Sequence, residues 1–322
     1  MKKVGIIGGA GYTAGELIRL LINHPEVEIE FIHSSSNAGK KIIDVHEGLL
    51  GETNMVFSDT HPLEDIDILF LCTAHGDSKK FWETNARPAN LKVIDLAQDY
   101  RDENDGFVYG LPEVNFHRIK TAESIANPGC FATAIQLSLI PLASAGLLPP
   151  NKDINITALT GSTGAGVKPG ATTHFSWRND NISVYKPFNH QHLKEITMTL
   201  RNLQPNFSSH LNFIPVRGDF ARGIYAITTL DCELSQEQVS KLYKDFYSDA
   251  PFVVISDSPV DLKQAVNTNK AVINVLIHEG KLLITCAEDN LLKGASGQAV
   301  QNMNIILGID QTIGLKLKPS AF

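Results

Sequence analysis

The sequence predicts an α/β chain in two domains: a doubly wound parallel sheet, then an α+β domain whose sheet is mostly antiparallel. Three observations carry that expectation. Val4-Gly-Ile-Ile-Gly, a glycine-rich turn and the apolar-spaced Glu16-Leu-Ile-Arg-Leu-Leu-Ile-Asn read as strand, turn and helix at the start of the chain. Strands and helices then alternate to about residue 130, the pattern of a parallel sheet wrapped by crossovers. Past Pro149-Pro150 strands follow one another with fewer helices between them, which suits an antiparallel sheet. A length of 322 residues provides core for both domains.

Composition narrows the partners. The chain is 43% hydrophobic and 20% charged, with a net charge of −7. That balance argues against a nucleic acid or an anionic membrane, whose binding needs a basic surface. It leaves room for a local basic pocket facing a phosphorylated small molecule. No apolar run approaches the roughly 20 residues of a membrane span. Met1-Lys-Lys-Val enters a strand directly, and the glycines that follow read as a turn rather than a signal peptide. Cys72, Cys130, Cys232 and Cys286 are scattered without a C-x-x-C pair, so neither a disulfide framework nor a zinc site is expected. A reduced, cytoplasmic enzyme is the reading these features support.

The first turn, Gly8-Gly-Ala-Gly-Tyr-Thr-Ala-Gly, lies between strand and helix and so reads as a phosphate cradle of the Rossmann type. Gly8 permits the tight turn and Gly11 lets a pyrophosphate approach the main chain. Tyr12, Thr13 and Ala14 open the helix whose N–H groups face the ligand. The spacing is G-x-x-G-x-x-x-G rather than the commoner G-x-G-x-x-G. The next strand, 27–33, runs into Ser34-Ser-Ser-Asn-Ala-Gly-Lys-Lys instead of the Asp or Glu that holds a ribose 2′-hydroxyl. The hydroxyls of Ser34 and Ser36 and the nearby lysines suit a 2′-phosphate, so NADP(H) is expected over NAD. A third strand over 67–73 contains Cys72, read as core. His75 lies in the loop at its carboxyl end, facing the cofactor, and a helix runs to Asn85. The fourth strand, 91–97, leads to Arg101, whose guanidinium fork suits a phosphate or carboxylate, and then to a loop rich in Asp, Gly and Pro.

The fifth strand, 124–126, delivers the central motif. Asn127-Pro-Gly makes a sharp turn, and Cys130 follows where a helix should start, since 131–139 is apolar and free of breakers until Pro141. A thiol at a helix N-terminus meets unpaired N–H groups and the positive end of the macrodipole, which favour the thiolate, the nucleophile for an activated acyl carbon. In the second domain a strand over 154–159 ends in Thr160-Gly-Ser-Thr-Gly-Ala-Gly, whose hydroxyls suit a carbonyl or phosphate. His190 and His192 follow, then a helix to Asn202. Two residues apart on a helix, the histidines would point in different directions, so at most one of them is expected to face Cys130. Histidine moves a proton readily near pH 7. A His-x-His metal site lacks partners at ligand spacing, so no metal is expected. Strands over 211–215, 223–230, 251–256, 271–278 and 281–287 complete an antiparallel sheet. Ser235-Gln-Glu-Gln is a capping box opening a helix to about Ser248. Arg217 and Arg222 offer further anion contacts, and a last helix spans 299–307.

Gly8-Gly-Ala-Gly-Tyr-Thr-Ala-Gly, Asn127-Pro-Gly-Cys-Phe-Ala-Thr, Gly161-Ser-Thr-Gly-Ala-Gly, His190-Gln-His-Leu-Lys-Glu-Ile and Asp289-Asn-Leu-Leu-Lys-Gly-Ala-Ser-Gly-Gln-Ala-Val-Gln-Asn-Met-Asn together resemble the N-acetyl-γ-glutamyl-phosphate reductase family, from Val4 to Leu307. The resemblance implies NADPH-dependent reduction of a small-molecule acyl phosphate to a semialdehyde, with release of inorganic phosphate, in arginine biosynthesis. It implies that Cys130 is the nucleophile and that His190 and His192 are the family's histidine pair, His190 being favoured for the proton role with Glu195 beside it. Arg101 and Ser162 match positions near the substrate, to which Asn127 and Arg222 are added. Asn290 and Lys293 match the segment by the nicotinamide. The C-terminal helix is then expected to return to the cofactor domain, giving 1–128 with 295–322 as the NADP-binding domain and 129–294 as the catalytic and oligomerisation domain of a homodimer or homotetramer. No residue decides between an acetyl, a succinyl and a carrier-bound acyl group. Aspartate-semialdehyde dehydrogenase is the nearest rival; a cysteine hydrolase leaves the glycine turn unexplained, and an NADP-binding sensor leaves Cys130 as packing.

Overall fold

The computed structural model describes residues 1–320. The chain divides into two compact units, Met1–Pro128 with Ala295–Lys316, and Gly129–Gly294 with the tail from Leu317. The tail thus groups with the second unit, where the resemblance had assigned 295–322 to the first. Among the described residues no helix or strand follows residue 306, so no backbone ladder ties the tail to the parallel sheet. Among the described residues no helix is long and apolar enough to cross a membrane.

The first unit opens with β1 (Lys2–Ile7), α1 (Tyr12–Leu21) and β2 (Val27–His33), and continues with β3 (Ile68–Leu71), α2 (Asp77–Thr84), β4 (Lys92–Asp95), β5 (Val108–Tyr109), α3 (Pro112–Thr121) and β6 (Ser124–Ala126). The strands line up as β2-β1-β3-β4-β6-β5, every pair parallel. The order reverses between β1 and β3, and in such sheets ligands bind beyond the carboxyl ends of the strands at that switch. The stretch read as a loop after Arg101 holds β5 and the start of α3. Pro112 opens that helix, a position where its missing N–H costs nothing. Leu69, Leu71 and Val93 fill one face of the sheet, where the Tyr100 and Phe107 rings stack at 3.9 Å.

The second unit begins with α4 (Cys130–Ser144) and β7 (Ile154–Thr160), followed by α5 (Phe175–Arg178), β8 (Ser183–Val184), α6 (Leu193–Leu203), β9 (Leu211–Arg217), β10 (Ile224–Asp231), α7 (Gln236–Phe246), β11 (Val253–Ser256), β12 (Ala271–His278) and β13 (Lys281–Glu288). The sheet order is β11-β12-β13-β10-β7-β9-β8. It is mixed rather than purely antiparallel, because β7 with β9 and β11 with β12 are parallel and joined by long crossovers. The capping box forms as expected, with Ser235 and Gln238 bonding each other's main chain.

Helix α4 is the core of this unit, buried from Phe131 to Ala143. It does not stop before Pro141 as its sequence suggested. A proline leaves the carbonyl four residues earlier without its helical donor. Here the Tyr247 hydroxyl donates to that carbonyl, Leu137 O, at 2.6 Å, and the Tyr243 hydroxyl donates to Ser138 O at 2.5 Å. The helix continues with the Tyr247 hydroxyl, from the residue that caps α7, in place of the one missing donor. Tyr247→Phe is therefore expected to cost about 1–3 kcal/mol, the penalty of an unsatisfied buried carbonyl, read as a lower urea midpoint at unchanged slope.

The chain ends its regular structure in α8 (Gly297–Ile306), which belongs to the first unit and packs against α1 and α3. Its polar residues are buried and act as braces. Asn302 donates to Gly110 O at 2.9 Å and to Asn127 Oδ1 at 3.1 Å, and Asn304 donates to Ile313 O at 2.9 Å. A Cβ on Gly110 would lie 2.6 Å from the Asn302 amide nitrogen, so the glycine is what lets that brace approach.

Candidate active site

Cys130 is the first residue of α4, and Gly129 caps the helix without a side chain. The first turn contains no acidic residue of its own, and its N–H groups carry the positive end of the helix dipole. The Gly129 N–H donates to Glu195 Oε2 at 3.0 Å, which pins the turn to α6. Glu195 therefore holds the start of the helix, a different task from the substrate contact implied for it. Behind the cysteine sits Gly294: a Cβ there would lie 2.9 Å from Cys130 Cβ and 2.9 Å from Glu288 Oε1. Glu288 and Lys293 are fully buried. The other cysteines differ. Burial pushes the Cys72 thiol up to about 12, with the charge of Asp95 adding to it, and Cys72 lies one residue beyond β3 rather than inside it. Burial and Glu288 raise Cys286 well above its ordinary value.

His190 and His192 precede α6 instead of lying on it, so the helical argument for opposed directions does not apply. Their rings meet edge to face at 4.5 Å, and both pack on Phe131, at 5.5 and 6.2 Å, the residue beside Cys130. Tyr185 and Phe213 close the cluster around His190 at 5.9 and 5.4 Å. Arg217 lies over the Tyr185 ring at 4.6 Å. Burial, with the charges of Lys186 and Arg217, pushes the His190 imidazole down to about 4, so it is neutral at pH 7. Its Nδ1 accepts the His192 N–H at 3.3 Å, so the ring's one proton sits on Nε2. Burial, with Cys130 close by, pushes the Tyr185 phenol up to about 12. Sequence reasoning missed Tyr185 and Gly294; nothing in their local pattern marks them.

In the first unit, the loop between β1 and α1 has the form of a phosphate cradle. Gly8 adopts φ +79°, and a Cβ on it would strike the Cys72 carbonyl at 2.5 Å. Gly11 caps α1, and a Cβ there would meet nothing nearer than 3.8 Å. Packing does not require that glycine; it leaves open space before a helix N-terminus whose first turn has no acidic residue. A dinucleotide's pyrophosphate fits such a place. Tyr12 is exposed beside it and Ala14 is buried. Thr13 O accepts the Ser296 hydroxyl at 2.7 Å. His46, not singled out in the sequence, donates from Nε2 to Gly9 O at 2.7 Å and lies over Gly15. Beyond β2, Asn37 donates to Ser34 Oγ at 3.3 Å and Ser36 Oγ at 3.1 Å, and Lys40 donates to Asn37 Oδ1 at 3.1 Å. His75 is exposed, its Nδ1 accepting the Gln98 N–H at 3.2 Å.

Several expected ligand contacts serve as braces. Arg101 is buried and donates to Asn127 O at 2.9 Å and Leu96 O at 3.1 Å. Asn127 donates to Ala295 O at 3.0 Å. Arg222 forms a two-pronged pair with buried Asp289, both arms at 3.1 Å, so its fork is already matched to a carboxylate. Asn290 accepts the Gly223 N–H at 2.6 Å and donates to Thr163 Oγ1 at 3.1 Å, holding the loop that contains Ser162. Ser162 itself is half-buried at the start of that loop's helical turn.

Comparison with known proteins gives the family. A model described as semialdehyde dehydrogenase, NAD binding domain, matches residues 3–122, and one described as semialdehyde dehydrogenase, dimerisation domain, matches residues 130–290. N-acetyl-gamma-glutamyl-phosphate reductases from Phocaeicola vulgatus and Parabacteroides distasonis are each 60% identical to this chain over the full length of both proteins. One from Bacteroides thetaiotaomicron is 59% identical over the same span. Among solved structures, aspartate semialdehyde dehydrogenase II from Vibrio cholerae, complexed with ASA, shares the fold with a TM-score of 0.73 at 17% identity, covering 96% of this chain and 98% of that one. The enzyme from Candida albicans with NADP gives 0.71 at 17% identity, covering 95% and 98%. The chain belongs to the semialdehyde dehydrogenase family and, within it, to the N-acetyl-gamma-glutamyl-phosphate reductases.

Proposed function

We propose that this chain reduces N-acetyl-γ-glutamyl phosphate with NADPH to N-acetylglutamate 5-semialdehyde and phosphate, as a cytoplasmic step of arginine biosynthesis carried out by a homodimer or homotetramer. The observation that carries the chemistry is Cys130 at the uncapped start of α4, one residue from a buried pair of histidines. Gly8, Gly11 and the first turn of α1 would hold the pyrophosphate, and Ser34, Ser36 and Lys40, with no carboxylate among residues 34–41, suit a 2′-phosphate.

Cys130 attacks the γ-acyl carbon, the carbon–oxygen bond to phosphate breaks, and a thioester forms while the thiol proton leaves with the phosphate. A nicotinamide held by the glycine loop would supply the hydride that takes the thioester to a thiohemiacetal. The N–H groups that open α4 hold the negative oxygen at both tetrahedral stages. His190, neutral with its proton on Nε2, is a donor in the same task. Collapse releases the aldehyde and the Cys130 thiolate, which takes a proton from solvent. Glu195, through Gly129, keeps the turn in place. Gly294→Ala is expected to displace Cys130, lowering kcat in a steady-state assay on the order of 10²-fold, since small misplacements of reacting groups cost that much.

The reaction run backwards tests this reading. N-acetylglutamate semialdehyde, NADP+ and phosphate should give NADPH absorbance that depends on phosphate, faster than with the N-succinyl semialdehyde, with aspartate semialdehyde or with NAD+. A preference for aspartate semialdehyde, or turnover independent of phosphate, would contradict it.

A further inference from the structure

Of the three arginines read from the sequence as anion contacts, two are already engaged. Arg101 is tied to main-chain carbonyls and Arg222 to Asp289. Arg217, the last residue of β9, is half-buried, and among the described residues no carboxylate pairs with it. Asp219, two residues on, accepts the Asp180 N–H at 2.7 Å instead. The Arg217 guanidinium lies over the Tyr185 ring at 4.6 Å and also serves the phenol oxygen, so Tyr185 orients it. A second cation, Lys186, faces the same cluster. It adopts φ +45°, and Phe188 φ +61°, in the turn between β8 and α6. Side chains bearing a Cβ rarely take that conformation. The turn is held there by the Tyr185 N–H to Pro215 O at 3.1 Å and the Phe188 N–H to Phe213 O at 2.8 Å. Strain maintained in this way gathers where a ligand is clamped. Lys186 donates to Gln191 Oε1 at 3.3 Å, a neutral partner that leaves its charge uncompensated. Both cations bear on the His190 ring in the same sense. Like charges gathered on one buried imidazole cost stability until a negative ligand completes the set.

We propose that Arg217 and Lys186 hold the α-carboxylate of the substrate, an assignment that rests on reading N-acetyl-γ-glutamyl phosphate as that substrate. The reacting end of the molecule lies at Cys130, against the N–H groups that open α4. Its α-carboxylate stands a three-carbon chain away from the acyl carbon, whereas the phosphate is joined to that carbon through one oxygen. Contact runs from Phe131 to Tyr185 at 6.5 Å and from Tyr185 to Arg217 at 4.6 Å, so Arg217 is one side chain removed from the cysteine's neighbour. That separation suits the far end of the substrate rather than the leaving group. A guanidinium offers a carboxylate two parallel N–H bonds, and the Lys186 ammonium adds a point charge. The pair therefore selects an acyl phosphate that carries an α-carboxylate over a simple aliphatic one.

The reverse reaction separates the two anions, because the semialdehyde and phosphate enter as different molecules. Arg217→Met should raise KM for N-acetylglutamate semialdehyde by about 10–100-fold, the range for a hydrogen-bonded charge, and leave KM for phosphate within about twofold. The parent should reject the α-carboxamide analogue of the semialdehyde. Arg217→Met should lose that discrimination, which a merely structural residue would not alter. Arg217→Lys, with the charge but not the fork, should fall between. Lys186→Gly relieves the φ +45° position, so it should raise the same KM without lowering the melting temperature. A rise in KM for phosphate alone, or a variant that rejects the amide as the parent does, would overturn the proposal.

Protection of Cys130 needs no turnover. N-acetylnorvaline carries the α-carboxylate and no reactive carbonyl. It should slow iodoacetamide labelling of the Cys130 peptide in the parent and not in Arg217→Met, and N-acetylnorvalinamide should slow it in neither. Equal labelling of parent and variant in the presence of N-acetylnorvaline would overturn the proposal. A parent that shows the protection but no phosphate-dependent turnover would keep the carboxylate site and reject the reaction assigned to it.

Discussion

Cys130→Ala is expected to lower kcat by on the order of 10⁴-fold or more, as removal of a nucleophile does where covalent chemistry carries the reaction. NADPH affinity should stay within about twofold, because the glycine loop, the Ser34 turn and α1 are all built inside the first unit. The residual rate is the informative part. The N–H groups opening α4 remain in the variant, and they alone should leave some polarisation of a bound carbonyl. Cys130→Ser keeps the shape and places a far weaker nucleophile, so it should resemble the alanine variant rather than the parent. Stopped-flow absorbance with a fluorescence titration of NADPH separates the two quantities. Loss of cofactor binding in parallel with turnover would point to a structural cysteine instead.

His190→Ala is expected to reduce kcat by about 10²–10⁴-fold, the range for a positioned proton-handling group. The structure assigns it a donor's role, and that can be told from a base's role. With Nδ1 accepting the His192 N–H, a neutral His190 offers Nε2–H and no free lone pair. His190→Asn or His190→Gln, which retain an N–H donor, should recover part of the loss; a base would not be rescued by an amide. The pH dependence has a definite sign. The folded imidazole is lowered to about 4 from its ordinary 6.5, so it stays neutral from about pH 5 upward. kcat/KM should show no acid limb from this group near pH 6.5. Stability tied to His190 is present above pH 6.5 and is lost as pH falls from there toward 4, because the unfolded chain takes up the proton first. Carbon-13 NMR of the labelled imidazole, followed from pH 8 to 4, checks both statements.

The elements whose cause is local were legible in the sequence. The glycine loop, the capping box at Ser235 and the helix beginning at Cys130 each depend on residues within a few positions. What could not be read depends on partners far along the chain. Arg222 reads as a free guanidinium until Asp289 is placed against it, 67 residues on, and Asn127 meets Asn302 across 175. A fork suited to phosphate is equally suited to a carboxylate or to main-chain carbonyls, so residue type alone does not tell Arg101 the brace from Arg101 the ligand. Pro141 misled in the same way, because the donor that lets α4 continue is Tyr247. The histidine pair was misread through the wrong local geometry: helix directions were applied to residues that precede the helix, and their shared packing on Phe131 was invisible.

The most direct test of the account is to catch the acyl group on the enzyme. The chain would be mixed with N-acetyl-γ-glutamyl phosphate without NADPH, quenched in acid, and examined by intact mass and peptide mapping. The expected result is one N-acetylglutamyl adduct on the peptide bearing Cys130, formed with stoichiometric phosphate release and discharged to the semialdehyde when NADPH is added before the quench. An enzyme that turns over fully while no acyl group is ever found on Cys130, with the adduct absent or on another side chain, would contradict it.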